Sequence, residues 1–360
     1  MTSHDDQVRA LLAEAARMPT SLGKFEVIAE AVRLADLHND VPLGVEARLP
    51  LLAVAGSLLR GDAMAVAFTW CLHQYDTRPE LFGGRDLFWE YRTLVGRMAN
   101  FDTVSRAQLE EMLADLTARL ARAGQSPAHA LYVKVLLGPD LGDRAFAVEA
   151  MAEVVRRRLT AVFNPSMLFQ HAIFVGNEEG ALRLAEAELF TPNRNAFDMQ
   201  WYELFELLMR RDRWAELPRW LTRAEKQVRV KDVYYWPFGM VVAALALAGR
   251  IDAAVRLAGQ CQRAIREYTD PLTRLHFCLD VGVLFDRLHA LGRETVLVRF
   301  ADGPPGRMPS GQYRVAEVRA WLADTAADLA ARFDARNGNA YFAGLIRERA
   351  ASQRFARGPA

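Results

Sequence analysis

Histidine and cysteine are the side chains whose spacing most directly signals chemistry, and in this chain they signal little. His73 lies two residues from Cys71, and His276 two residues from Cys278. On a helix such neighbours point roughly 200° apart, whereas two ligands on one helix need i,i+3 or i,i+4 spacing. His38, His129 and His171 have no partner in a recognised ligand motif, and His289 with Asp286 has the spacing of an ordinary solvated pair. No structural metal and no cofactor is expected. Phe82-Gly83-Gly84-Arg85 supplies glycines between helices, not between a strand and a helix where a phosphate cradle needs them. No serine sits in a nucleophile elbow. Magnesium and pyrophosphate chemistry would need an aspartate-rich helical motif, but Asp5-Asp6 is at the start of the chain and Asn39-Asp40 is followed by Leu43 where a hydroxyl is wanted. Glu110-Glu111 and Glu178-Glu179 stand beside turns, where acids suit a helix N-terminus. Arg156-Arg157-Arg158 points in three directions around its helix and reads as a run complementing a C-terminal dipole. No catalytic residue is expected.

Composition narrows the class. With 360 residues, 51% of them hydrophobic and 25% charged, the chain can bury a large core and is not a disordered polymer. Its net charge of +1 argues against a dedicated nucleic-acid binder, which would carry a basic excess. Lys24, Lys134, Lys226 and Lys231 are the only lysines, and arginine and alanine dominate as in a GC-rich bacterial gene. The acidic start, Met1 to Asp6, is not followed by an apolar run with a cleavage site, so a cytoplasmic protein is expected. The longest apolar run, Met240 to Gly249, is far short of the ~20 residues of a membrane helix and reads as a buried helix. Cys71, Cys261 and Cys278 are odd in number and lie in apolar helical patterns, as reduced core cysteines do.

The elements behind these residues read as helices. Apolar residues at three- and four-residue steps predict helices near Asp5 to Arg17, Lys24 to His38 and Val45 to Arg60. This segment offers no polar, basic recognition helix after a short turn, so it reads as a capping bundle. Turns at Gly61, Asn100, Gly142, Gly176, Asp212, Gly249 and Gly292 form a ladder with spacings of 39, 42, 34, 36, 37 and 43 residues. Ser126-Pro127, Asn164-Pro165 and Asp270-Pro271 each offer an N-cap acceptor followed by proline, and Ser105 with Gln108 has the capping-box pattern. Thr295 to Val298 is the best β-branched run but has no hairpin partner, so it is expected as a short or distorted second helix. Asp302 to Gly311 is a long Gly/Pro loop. Tyr313 to Phe333 and Asn339 to Ala350 read as a last helix pair, with Arg332, Asp334, Arg336 and the Arg347-Glu348-Arg349 run on its polar outer face.

Two hairpins between Phe197 and Glu267 are in register. Trp201, Leu204 and Leu208 precede the turn at Asp212, with Leu217, Leu221 and Ala224 after it. Phe238, Val241 and Leu245 precede Gly249, with Ala254, Ala258 and Cys261 after it. Aligning the turns gives a repeat of 37 residues, with an aromatic eleven residues before each turn. The unit resembles a tetratricopeptide repeat, whose helix pairs stack to bury a continuous core. Aromatics at Tyr234, Tyr235, Trp236 and Phe238 open one such helix, as a seam between repeats or as an anchor.

The resemblance implies an all-α fold, a right-handed superhelix of stacked antiparallel helix pairs. Residues 1–60 would be an N-terminal capping segment, 61–300 the repeats, 301–311 the loop, 312–353 a C-terminal capping pair and 354–360 a frayed tail. It also implies that the first helix of each pair lines an inner groove. That carries over to Glu90, Leu94 and Arg97; to Ser166, Gln170, Ile173 and Phe174; to Tyr202, Glu206, Met209 and Arg210; and to Trp236, Asp286 and His289. Such a mixture suits peptide recognition; ordinary surface is the other reading of the same residues. The expected function is that of a non-enzymatic scaffold, adaptor or regulator binding a peptide or protein segment in the groove. The alternative is an enzyme or accessory subunit acting on or sensing a small molecule there, through Glu206, Arg210, Gln170 and His289. Self-association through Trp321 is a third reading.

Overall fold

A computed structural model of the chain describes residues 3–189, 201–230, 237–260, 270–300 and 304–358. Among these residues 17 α-helices pack against their neighbours, an all-helical arrangement compatible with a helical repeat. None is long and apolar enough to cross a membrane. The chain divides into two compact units, Met1–Val133 and Lys134–Ala360.

The first unit contains α1 (His4–Arg17), α2 (Leu22–Leu37), α3 (Val41–Ser57), α4 (Gly61–Thr77), α5 (Phe88–Met98) and α6 (Arg106–Arg122). The division falls within α7 (Ala128–Leu141). Each helix from α1 to α5 packs on the next, and α3 also meets α1 and α5. Val8, Ala31, Ala35, Leu43 and Ala47 form one buried cluster, in which the three alanines let α2 and α3 approach closely around the larger Val8 and Leu43. The Arg48 side chain is buried, paired with Asp36 at 2.7 Å and laid 4.0 Å over the Trp70 ring.

The second unit contains α8 (Arg144–Arg156), α9 (Pro165–Phe174), α10 (Glu178–Leu189), α11 (Trp201–Arg210), α12 (Leu217–Val230), α13 (Pro237–Leu247) and α14 (Ile251–Gln260). They are followed by α15 (Pro271–Ala290), α16 (Val315–Asn337) and α17 (Tyr341–Ala351). Here α9 packs on α10, α13 on α14, and α11, α13 and α15 on one another in turn, so alternate helices share a layer. Residues Met240 to Leu247 of α13 are at most 1% exposed. A helix apolar on every side belongs inside a core.

One local device ends helix after helix. A residue in the left-handed region follows the last turn; its N–H bonds three residues back and the next N–H bonds five residues back, satisfying carbonyls the helix leaves open. It occurs at Gly142, Gly176, Asp212, Gly249 and Gly292, with φ between 56° and 84°. These are five of the seven expected turns. The turn expected at Gly61 lies at Leu59, φ 59°, because Gly61 is already the first residue of α4. At Asn100, α5 ends through Ala99 with no left-handed residue.

Helix starts follow the side-chain chemistry. Asn164 accepts the Met167 N–H at 2.9 Å, Asp270 accepts the Thr273 N–H at 2.7 Å, and both bonds of the Ser105/Gln108 capping box are present. Ser126 is displaced by one residue and accepts from Ala128 at 3.3 Å, while the Pro127 carbonyl takes the first helical bond.

One element departs from expectation. Thr295–Val296 is not helical but forms a strand, β1, paired antiparallel with β2, Tyr313–Arg314. The β-branched pair is held extended by burial of Val296, Val298 and Phe300, whose ring meets the Tyr313 ring edge-on at 5.3 Å.

Candidate functional site

The polar face expected of the last two helices is there in part: Arg332, Arg347 and Glu348 are exposed and Arg336 is half-buried, but two of the expected residues turn inward. Asp334 is buried and accepts the Phe342 and Ala343 N–H groups, both at 2.9 Å, so it caps α17. Arg349 is buried too, with 6% of its surface exposed. Along α17, Tyr341, Leu345 and Arg349 recur every four residues, and Phe342 and Arg349 are seven apart, so the arginine shares the face that packs inward.

That face meets carboxylates from two other helices. Glu203 and Glu206 lie three apart on α11, and His276 and Asp280 four apart on α15. Arg349 Nη1 is 3.3 Å from Glu206 Oε2, and Arg349 Nε is 3.2 Å from Asp280 Oδ1. Three acids therefore face a single arginine. Asp280 is fully buried, and burial pushes its carboxyl up to about 6 against the pull of Arg349. The Glu203 Oε2 atom has neither solvent contact nor a hydrogen-bond partner among the described residues, and burial raises that carboxyl to about 7. Burial and the nearby guanidinium together hold the His276 imidazole down, to about 4, so it stays neutral. Isolated buried charge is too unfavourable to persist, and the surplus acids answer by holding protons.

Close approach of the backbone completes the site. A Cβ on Gly239 of α13 would stand 2.9 Å from the Asp280 Cβ, so only glycine lets α13 pass there. Gly142, with φ 62°, lies against Tyr341, where a Cβ would stand 2.3 Å from the tyrosine Cβ. The Phe174 ring meets Tyr341 edge-on at 5.6 Å.

The rest of the C-terminal segment continues across the same layer. Asn339 donates to the Leu141 carbonyl at 2.7 Å, and Arg336 and Asn337 both donate to Asp140, closing the end of α7. Beyond α17, Gln353 donates to the Val283 carbonyl at 3.2 Å and the Arg357 N–H to Leu247 at 2.9 Å. Arg287 donates to the Arg357 carbonyl, and the Arg357 guanidinium lies 3.9 Å over the Trp214 ring. From Asn339 to Arg357 the chain thus touches α7, α9, α11, α13 and α15 in one run.

The residues expected to line a groove divide among several settings. Glu206 and Phe174 join the cluster around α17. Gln170 and Ile173 are half-buried, whereas Ser166 and Met209 are buried. Arg210 pairs with Glu178 at 3.2 Å, Asp286 pairs with Arg319 at 2.5 Å, and His289 is exposed. In the first unit Glu90 and Leu94 are buried, Glu90 paired with Arg85, and Arg97 is half-buried. The Tyr202 side chain, Trp236, Tyr234, Tyr235 and Cys261 lie outside the described residues. Glu203, His276, Asp280, Tyr341 and Arg349 were not among the expected site residues.

Among the described residues one group has ligand atoms within reach of a common ion, namely His4, Asp5 and Asp40. Its geometry is also that of an ion pair, with His4 Nε2 at 2.9 Å and 3.3 Å from the two carboxylates while Asp40 caps α3.

Chemically, a carboxyl near 7 and a neutral imidazole, both under the influence of Arg349, are groups that acid–base catalysis uses. Here α17 covers them, so a substrate would have to displace that helix. The arrangement does fit recognition of a guanidinium, with acids presented from two helices to one planar cation. No protein-family model matches the chain, and no curated protein is similar to it.

Proposed function

We propose that this is a tetratricopeptide-like helical-repeat protein that acts by binding a helical peptide or protein segment on the layer formed by α9, α11, α13 and α15. The recognised segment presents an arginine to Glu206 and Asp280 and apolar side chains to the surrounding core. A non-enzymatic adaptor or regulator is the role this serves. The buried free thiols of Cys71 and Cys278 suit a reducing compartment, and the cytoplasm is where we propose it works.

The observation that supports this reading is the seat of Arg349 between Glu206 and Asp280. The chain's own C-terminal segment lies on the layer as a partner helix would, as in helix-in-groove recognition. Being tethered, it competes at an effective concentration that reaches the millimolar range, so an incoming partner succeeds only when the segment is loosened.

Affinity capture from a lysate of the native organism tests this with three baits: the wild type, Arg349→Met, and Arg349→Met combined with Glu206→Gln. A protein enriched on the Arg349→Met bait and lost on the double variant supports the proposal. The same set of proteins on all three baits contradicts it.

A further inference from the structure

Among the described residues three arginines are buried, and two of them face carboxylates: Arg48 pairs with Asp36, and Arg349 with Glu206 and Asp280. The third, Arg92 of α5, faces none. It is 7% exposed, and no hydrogen bond or ion pair reaches it from any described residue. Rings hold it instead. The guanidinium carbon lies 3.7 Å from the centre of the Trp89 ring and 4.1 Å from that of Tyr132. Trp89 and Arg92 are three apart on α5, and His129 and Tyr132 three apart on α7, so each pair shares a helix face. All four residues belong to the first unit.

Stacking does not complete an arginine. It uses the face of the guanidinium, whereas the five N–H donors lie in its plane and still need acceptors. The side chain cannot escape by losing its proton, although burial lowers its pKa, opposed by Tyr132. Its nitrogens are not sealed from solvent, so the N–H edge opens at the surface.

The surroundings supply no anion for that edge. The His129 ring meets Trp89 edge-on at 6.3 Å, and burial first and Arg92 second hold its pKa down, so it stays neutral. Its Nδ1 atom has no hydrogen-bond partner among the described residues. Asp86 acts on His129 in the opposite sense, but it is exposed, where solvent and salt screen it, and it is not among the groups that shift Arg92. One buried cation is left with no acid set against it. His129 stands in the first turn of α7, whose positive dipole end favours the same sign of guest. Beside the guanidinium, Trp89 is 59% exposed, an open ring on which an apolar body can rest.

We infer that Arg92, Trp89 and the first turn of α7 form a binding site for a singly charged carboxylate carried on an apolar body, its oxygens on the edge of the guanidinium and its body against the open part of the Trp89 ring. A planar fork of donors matches a carboxylate. A single cation favours a monoanion over a dianion, whose second charge would find no partner.

Isothermal titration of the full chain with phenylacetate, the neutral phenylacetamide and inorganic phosphate tests the assignment. Phenylacetate should bind, and the amide should bind at least about tenfold more weakly, since it forfeits a charge-assisted bond. Phosphate should bind more weakly than phenylacetate. Arg92→Met keeps a long stem between the rings and removes the charge, and should weaken the acid by about 10- to 100-fold. Trp89→Ala alters an exposed position, so circular dichroism should show the fold intact while the acid binds about tenfold more weakly. Should Arg92→Met fail to fold, Trp89→Ala and the comparison of acid with amide on the wild type decide the matter. Absence of phenylacetate binding to the wild type, or binding unchanged in Trp89→Ala, would overturn the site. Equal binding of acid and amide, or phosphate binding as tightly as the acid, would overturn the ligand class.

Discussion

Replacing Glu203 by glutamine should make the protein more stable, and increasingly so as the pH rises. Burial lifts this carboxyl from an ordinary 4.5 to about 7. Below the unfolded value both states carry the proton and the group has no effect. Between the two values the folded chain keeps a proton that the unfolded chain releases, so stability falls as the pH rises. Above the folded value the loss is complete, about 3 kcal/mol for a shift of this size. Glutamine has no proton to lose and escapes the penalty. Two neighbours titrate nearby with opposite signs. Asp280, raised to about 6, loses stability with rising pH in the same way. His276, held down to about 4, excludes its proton from the fold, so its contribution rises with pH through the histidine range. Both remain in the variant and largely cancel from the difference. Urea unfolding of wild type and Glu203→Gln, followed by circular dichroism at about pH 5 and pH 8, should show the variant's advantage growing by about 2 kcal/mol. A difference that does not change with pH would mean that Glu203 titrates as a solvated acid, and the closed cluster would be wrong.

Gly239→Ala should destabilise by about 1–3 kcal/mol through overpacking against Asp280, read as a lower urea midpoint with an unchanged slope. Asp334→Ala should remove the cap of α17 and lower stability by about 1–2 kcal/mol, with faster amide exchange at Phe342 and Ala343.

The parts of this structure legible in the sequence are those set by local chemistry. Asn164, Asp270 and Ser105 cap their helices because a short polar side chain reaches an N–H three residues on, a fact carried entirely by neighbours. Glycines at 142, 176, 249 and 292 mark left-handed turns for the same reason. Leu59, Asn39 and Arg158 adopt that conformation without being glycine, so their turns were not readable as such. Gly61 misled because it serves a different need: a Cβ there would stand 2.7 Å from the Phe101 ring. The strand at Thr295 depends on a partner beyond the Gly/Pro loop, and no alternation in Tyr313-Arg314 announces it.

The charged cluster was less legible still. Glu206 was singled out, but for a groove facing solvent, and its partner Arg349 lies 143 residues away. Read singly, an Arg-Glu-Arg run late in the chain is a polar surface. The four-residue recurrence of Tyr341, Leu345 and Arg349 was the available signal that one of these arginines points inward.

We propose that the layer of α9, α11, α13 and α15 recognises a helical segment through its arginine. The most direct test inserts a protease site between Gly338 and Asn339 of the full chain, cleaves it, and follows exchange of the released segment with a labelled peptide of residues 341–358 by fluorescence anisotropy. The nicked protein should keep its helix content, the peptide should exchange in, and an Arg349→Met peptide should bind about 10- to 100-fold more weakly. Collapse of the fold on cleavage, or equal binding of the two peptides, would contradict it.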